Sequence, residues 1–110
     1  MAGVEQPEVI DLVSHDPQRD AFVLVAIEDR SWNCGDQQLL DLQAKLKNYV
    51  SFAEDGQMLA MYPDSAGKPW VIRLECVEEP SADVARLIDA VSAAWIPANG
   101  SLVVEVTRAD

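Results

Sequence analysis

The sequence predicts an α+β fold: a two-layer sandwich in which two main helices cover one face of a four-stranded, mainly antiparallel sheet, in the order ββαβαβ. In four short segments the apolar residues alternate with others or fill every position, as in strands. In two longer segments they recur every three or four positions, as in helices. Turn residues separate these six segments. Hydrophobic residues make up 49% of the 110, enough to form one buried core. We therefore expect residues 1–110 to form a single α+β domain.

The first two strands are predicted to form a hairpin. Residues 9–13 alternate weakly, and residues 21–27 are apolar at every position, which is typical of a strand with both faces buried. Between them Pro17 fixes its own backbone angle, and the Asp16 carboxylate can accept a hydrogen bond from the backbone ahead. The second strand should therefore lie inside the sheet.

The clearest helix in the sequence begins at Asp36, a favourable N-cap residue. Gly56 is placed to end it in the left-handed conformation, and residues 57–62 form a further short helical segment that Pro63 stops. We expect Lys45 to face solvent and to pair with Asp41 one turn earlier. One apolar stripe runs along this helix: Leu39, Leu42, Leu46, Tyr49, Val50 and Ala53.

The second half of the chain predicts strand, helix and strand. Residues 70–77 alternate between apolar and other side chains, as a half-buried strand does. Ser81 can cap the second helix, Pro97 ends it, and residues 102–106 resume the alternation of a strand. The buried stripe of this helix comprises Val84, Leu87, Ile88, Val91 and Trp95.

The charge balance excludes several classes of partner. Nineteen acidic side chains oppose eight basic ones, which gives a formal net charge of −11, and the basic residues are scattered. Binding to nucleic acid or to an anionic membrane surface needs clustered Lys and Arg, so we expect neither partner. An acidic surface instead speeds encounter with a basic protein, although the same charge also serves solubility alone.

The sequence predicts a cytoplasmic location. The first eight residues are acidic and contain no apolar run of the signal-peptide kind, and the longest apolar run, residues 21–27, is too short to span a bilayer. Without a secretion signal, Cys34 and Cys76 are expected to be free thiols in a reducing compartment.

Candidate catalytic and metal-binding residues are weak. Ser14, His15 and Asp16 are the residue types of a hydrolytic triad, but neighbours along a strand point to opposite faces and cannot form the relay. Carboxylate pairs at 28–29 and 78–79 both follow strands and could meet at one sheet end, where we expect them to be solvated. We therefore predict no enzyme activity, no cofactor and no metal ion.

Trp32 and Cys34 form the one loop of chemical interest. Cys34 immediately precedes a helix N-terminus, where a thiolate is stabilised, but no base or second thiol lies near it in the sequence. Met58, Met61 and Tyr62 could line a pocket together with the 31–36 loop. This combination supports the alternative function, a small-molecule-binding domain or minor enzyme.

The second sheet face supports the main functional hypothesis. Two helices can cover only one face of a sheet, and the other face carries a larger apolar patch than monomers usually expose. We expect a second copy of the chain to cover it in a homodimer. The predicted interface comprises Val13, Val23, Val25, Ile27, Val71 and Val103.

Several motifs together resemble one family of small acidic bacterial proteins, a domain of unknown function. The motifs are Glu5-x-Pro7-x-Val9-Ile10-Asp11, Trp32, the 39–52 helix, Gly56-Gln57 and Tyr62-Pro63-Asp64-x-x-Gly67-Lys68 leading into Val71-Ile72-Arg73. The resemblance implies a bacterial, cytoplasmic α+β domain and supplies no catalytic residue. The resulting hypothesis is a non-enzymatic interaction protein that self-associates and inhibits or scaffolds a basic protein.

Overall fold

The computed structural model describes residues 3–4, 6, 9–33 and 35–107. Glu5, Pro7 and Cys34 lie outside the described residues. Four strands, three α-helices and one short 3₁₀ turn at Pro63–Ser65 follow one another. Their bounds are β1 Leu12–Asp16, β2 Ala21–Glu28, α1 Asp36–Glu54, α2 Gln57–Met61, β3 Trp70–Cys76, α3 Ala82–Trp95 and β4 Gly100–Val106.

The sheet is mixed, with the strands in the order β1-β2-β3-β4. Only β1 and β2 pair antiparallel, whereas β2 with β3 and β3 with β4 pair parallel. The prediction of a mainly antiparallel sheet was therefore wrong. Only the four-residue turn after β1 joins adjacent strands directly. The segment that contains α1 connects β2 to β3, and α3 connects β3 to β4. Each of these connections brings the chain back to the end of the sheet where the previous strand began, so the next strand runs parallel to it.

One sheet face and the two long helices enclose the core. Phe22, Leu24 and Ala26 of β2 share that face with Trp70, Ile72 and Leu74 of β3. Leu42, Leu46 and Tyr49 of α1 and Val84, Ile88 and Val91 of α3 pack in the same buried cluster. Both predicted helical stripes are thus confirmed, and so is the two-layer α+β arrangement.

A buried polar network explains why β1 begins at Leu12 and not near Val9. The Tyr49 hydroxyl accepts from the Asp11 N–H at 2.8 Å and donates to the Val25 carbonyl at 2.7 Å. The Asp11 carboxylate accepts from the Ile27 N–H at 3.0 Å. Side chains therefore take the place of ladder hydrogen bonds next to the start of β1.

Lys45 lies at the centre of this network, and the expectation that it faces solvent was wrong. Its ammonium group is fully buried and contacts Asp11 Oδ1 at 2.9 Å, so Asp11 and not Asp41 is its partner. It also donates to the carbonyls of Gly3, Gln6 and Val9. A buried cation is tolerated only with such full pairing, and this pairing fixes the N-terminal segment against α1.

The helix ends follow local chemistry. Ser81 caps α3 as predicted, and its Oγ accepts from the Val84 N–H at 3.4 Å. Gly56 adopts the left-handed conformation, with φ 96°, between α1 and α2. The N-cap of α1 is Gly35, not Asp36, and Asp36 lies in the first turn, where a negative charge favours the helix dipole.

Candidate functional site

The uncovered sheet face is the first candidate, and most of the predicted interface lies on it. Val23, Val25 and Ile27 of β2 alternate with the core-facing residues, and Val71 and Val103 occupy the matching register positions of β3 and β4. Val13 does not share this face. It lies opposite Leu24 in the β1–β2 ladder and packs against the core, because the observed register of β1 places it on the helix-covered side.

The exposed apolar area of this face is smaller than the sequence predicts. Val23 and Val25 are already buried. The exposed aliphatic residues lie at the two edges, Leu12 on β1 with 46% exposure and Val103 on β4 with 43%. Leu12, Val25, Arg73 and Val103 form one row across the sheet.

A small ion-pair cluster lies beside that row. Arg73 approaches the Glu75 carboxylate at 2.8 Å and the Glu105 carboxylate at 3.8 Å. One basic and two acidic side chains thus stand on the uncovered face near its aliphatic residues.

A second candidate lies at the carboxyl ends of the parallel strands, where Glu28 ends β2. The Glu28 carboxylate is buried and accepts two hydrogen bonds from the Arg30 guanidinium, at 2.9 and 2.8 Å. Gln38 Nε2 donates to it at 3.1 Å. Burial alone raises the pKa of Glu28, and the hydrogen bonds from Arg30 and Gln38 outweigh it and hold the pKa below its ordinary value. Glu28 is therefore a structural anion.

The predicted loop residues border this end. The Trp32 indole packs against the core and donates to the Glu78 carbonyl at 2.9 Å, which ties the 29–33 loop to the segment after β3. Cys34 is outside the described residues. Cys76 is a buried free thiol whose pKa is raised by burial, so it has the character of an unreactive core residue, as the sequence predicts.

The pocket that would combine the 31–36 loop with Met58, Met61 and Tyr62 does not form. Helix α1 separates the two segments, and its 19 residues span about 28 Å at 1.5 Å per residue. The observed position of Met58 is in the core, whereas Met61 and Tyr62 line a different pocket. The prediction was wrong because helical spacing cannot show that two segments lie at opposite ends of one helix.

That different pocket is lined by the only histidine of the chain. It has a volume of about 450 Å³. His15 Nε2 lies 2.8 Å from Asp20 Oδ1, and Lys68 Nζ lies 3.1 Å from the same oxygen. Hydrogen bonds from His15 and Lys68 hold the pKa of Asp20 below its ordinary value. The lining residues are His15, Phe22, Met61, Tyr62, Pro63, Asp64 and Lys68.

The geometry of His15 does not complete a hydrolytic triad. Ser14 lies opposite Val23, so it stands on the uncovered face, whereas His15 lies opposite Phe22 on the helix side. The carboxylate partner of His15 is Asp20 across the turn, not its neighbour Asp16. Among the described residues, no Ser, Thr or Cys side chain lines this pocket to act as the nucleophile of such a triad.

An adjoining pocket extends the first one along β1. It measures about 330 Å³, and it shares Met61 and Tyr62 with the first. Its lining residues are Ile10, Asp11, Leu12, Val13, Phe52, Met61 and Tyr62. We call the two together the β1 groove. No local residue pattern predicts it, because the register of β1 and the position of α2 together create it.

The electrostatics of the surface are dominated by carboxylates. All seven basic side chains in the described part of the chain are engaged, six with carboxylates and Lys47 over the Trp95 ring. Seven exposed carboxylates have no ion-pair partner among the described residues: Asp29, Asp36, Glu54, Asp55, Asp64, Glu78 and Asp89. The outward charge of the molecule is therefore negative.

Within residues 3–4, 6, 9–33 and 35–107, no group of three or more His, Cys, Asp or Glu residues is arranged to hold a metal ion. Of the 28–29 and 78–79 carboxylate pairs, Asp29, Glu78 and Glu79 are exposed, but Glu28 is the last residue of β2 and is buried, so the expectation of two solvated pairs was wrong for Glu28. None of the described helices has the length and apolar character needed to cross a membrane.

Comparison with known proteins gives one match. A family described as a family of unknown function, DUF6572, matches residues 2–108. The chain belongs to this family. This confirms the resemblance to a domain of unknown function. No curated protein and no solved structure matches the chain.

Proposed function

We propose that this DUF6572 domain is a non-enzymatic interaction protein of the bacterial cytoplasm that self-associates through its uncovered sheet face. One observation carries the proposal: β2, β3 and β4 are parallel, yet α1 and α3 cover only one side of them. Parallel sheets occur almost only with both faces covered, whereas a solvated face is ordinary for antiparallel sheets. A second copy supplies the missing layer.

The chemistry of the face suits a second copy. Leu12 and Val103 offer exposed aliphatic surface at either edge, and Arg73 stands between them with Glu75 and Glu105 nearby. In a two-fold arrangement each Arg73 can face the glutamates of the other copy, which offsets the repulsion between two acidic chains.

The size of the face sets the strength of the dimer. Four strands about 4.8 Å apart, each about seven residues long at about 3.3 Å per residue, give a face of roughly 440 Å². Two copies together then bury roughly 900 Å², below the about 1,200–2,000 Å² of stable complexes. We therefore expect a weak dimer that dissociates on dilution in the micromolar range.

Two adjacent positions of β4 test the face. Val103 lies on the uncovered side and Val104 on the helix side, with exposures of 43% and 37%. Val103→Glu should abolish the concentration-dependent mass in sedimentation equilibrium, and Val104→Glu should leave it unchanged. If both variants lost self-association equally, face-to-face packing would be contradicted, because pairing through the edge of β4 would involve both positions.

A second candidate function is the binding of a basic protein, which the domain would inhibit or scaffold. The observation that favours it is the engagement of all seven described basic side chains, which leaves several exposed carboxylates, Asp29 and Asp64 among them, without an ion-pair partner among the described residues. Such a surface attracts cationic proteins and repels anionic ones, including nucleic acids and anionic membranes.

A tagged pull-down from bacterial lysate tests this candidate. A basic protein recovered near stoichiometrically at low salt and lost at high salt is the expected result, because surface attraction is screened. Recovery of acidic proteins, or recovery that salt leaves unchanged, would contradict it.

A further inference from the structure

We propose that the β1 groove binds an extended, basic segment of the partner protein, which adds to the free edge of β1 as a fifth strand. This inference rests on the second candidate function, the binding of a basic protein. Three properties of the groove support it: the direction of the main-chain groups of β1, the spacing of the two pockets, and their charge.

The main-chain groups of two β1 residues point away from the sheet. The Phe22 N–H donates to the Pro69 carbonyl, on the β3 side, and successive residues of a strand direct these groups to opposite neighbours. Phe22 and Leu24 therefore bond towards β3. Their partners in the β1 ladder, His15 and Val13, direct their own N–H and C=O outward. No described strand pairs with that edge.

The two pockets have the spacing of a bound strand. Val13 lines one and His15 lines the other, and both side chains lie on the helix side of β1. Residues two apart along a strand are separated by about 6.8 Å, and a strand added to β1 presents its side chains to one face with the same repeat. Residues i and i+2 of the added segment would therefore enter the two pockets.

The pockets differ in chemistry. The pocket that Val13 lines is largely aliphatic and aromatic, with Ile10 and Phe52 among its other lining residues, which suits an aliphatic side chain. Around His15 the Phe22 and Tyr62 rings lie 6.1 Å apart between centroids, and Met61 is 65% exposed. These surfaces suit the methylene stem of a long side chain.

Charge selects a basic residue for the His15 pocket. Lys68 is held by Asp20, whereas Asp64, which also lines the pocket, is exposed and has no ion-pair partner among the described residues. A Lys or Arg two positions from the aliphatic residue can pack its stem on Phe22 and Tyr62 and direct its charge to Asp64. The occupant is thus an extended segment with an aliphatic residue at i and a basic residue at i+2 or i−2.

Two peptides of identical composition test the inference. The probe, acetyl-Ser-Lys-Thr-Val-Thr-Lys-Ser-amide, has lysines two positions from valine in both strand directions. The control, acetyl-Ser-Thr-Lys-Val-Lys-Thr-Ser-amide, has them one position away, where they point to the opposite face. In NMR titrations at low salt, the probe should shift the amides of Val13, His15 and residues 61–64, and bind about tenfold more tightly than the control.

A variant pair tests the main-chain contact. His15→Pro removes the outward N–H without removing a β1–β2 hydrogen bond, and it should bind the probe about fivefold to tenfold more weakly than His15→Ala does, the worth of one hydrogen bond. His15→Ala lacks the same imidazole but keeps that N–H, so it is the reference for this comparison. Should His15→Pro fail to fold, the two peptides on the unmodified chain still decide the question.

The outcomes distinguish a failure of strand addition in the β1 groove from a failure of the second candidate function, the binding of a basic protein. Equal binding of both peptides, with shifts in the 29–33 and 77–81 loops, would overturn the groove and leave the basic partner supported. Equal binding to His15→Pro and His15→Ala would overturn strand addition. If neither peptide shifts any resonance at low salt, both the groove and the basic partner are contradicted.

Discussion

The two sides of β2 are buried by different means. Leu24 faces the helices and is part of the core cluster, whereas Val25 faces away from them and is buried although no described helix packs on its side. The contrast is weaker at the edge. Val103, on the uncovered side of β4, is 43% exposed, and Val104, on the helix side, is 37% exposed. Burial of a residue in a central strand thus does not by itself show that a second layer covers it.

The largest loss of stability is expected when the buried cation, Lys45, is replaced. Lys45→Met should lower the free energy of unfolding by about 3–5 kcal/mol, because it leaves the Asp11 carboxylate and three carbonyls without their donor. Chemical denaturation measures this. The control Lys47→Met, on the exposed part of the same helix, should cost no more than about 1 kcal/mol, the value of its contact with Trp95. Similar losses in both variants would refute the structural role of Lys45.

The two sheet faces should differ in the stability that is lost when one apolar side chain is truncated on each. Leu24→Ala removes a fully buried side chain beneath the helices and should cost about 2–5 kcal/mol. Val103→Ala, on the uncovered face, should cost less than about 0.5 kcal/mol in dilute solution, where the chain is monomeric. Thermal and urea denaturation at low micromolar concentration would show the difference. A large loss in Val103→Ala under these conditions would mean that this face is covered within the monomer.

The pH dependence at Glu28 should be smaller. Because the pKa of Glu28 is lowered in the folded state, its contribution is complete above the unfolded pKa near 4.5 and is lost as the pH falls through the folded value. Glu28→Gln should cost about 1–3 kcal/mol at pH 7 and weaken the decline in stability below pH about 4.5. The exposed neighbour Asp29 supplies a control. Asp29→Asn should change neither the free energy of unfolding at pH 7 nor its decline at low pH by more than about 0.5 kcal/mol.

The elements of the fold could be read from the sequence, but their arrangement could not. The stripes of α1 and α3 and the alternation of β3 are local, and all three segments have the predicted structure. Strand direction depends on where a helix returns the chain, which no residue pattern records. The mainly antiparallel prediction therefore failed where α1 and α3 make crossovers.

The candidate sites were predictable to the extent that they depend on strand alternation. Val23, Val25, Ile27, Val71 and Val103 share one face, as alternation requires. Val13 does not, because β1 is shifted by the contacts of Asp11 with Tyr49 and Ile27, which are distant in sequence. The β1 groove was missed for the same reason.

Self-association through the uncovered face can be tested by sedimentation equilibrium of the unmodified chain over micromolar to millimolar concentrations. The mass should rise from that of one copy, 12.1 kDa, towards that of two, and fall back on dilution. A mass of one copy at high micromolar concentration and above would contradict self-association through the uncovered face.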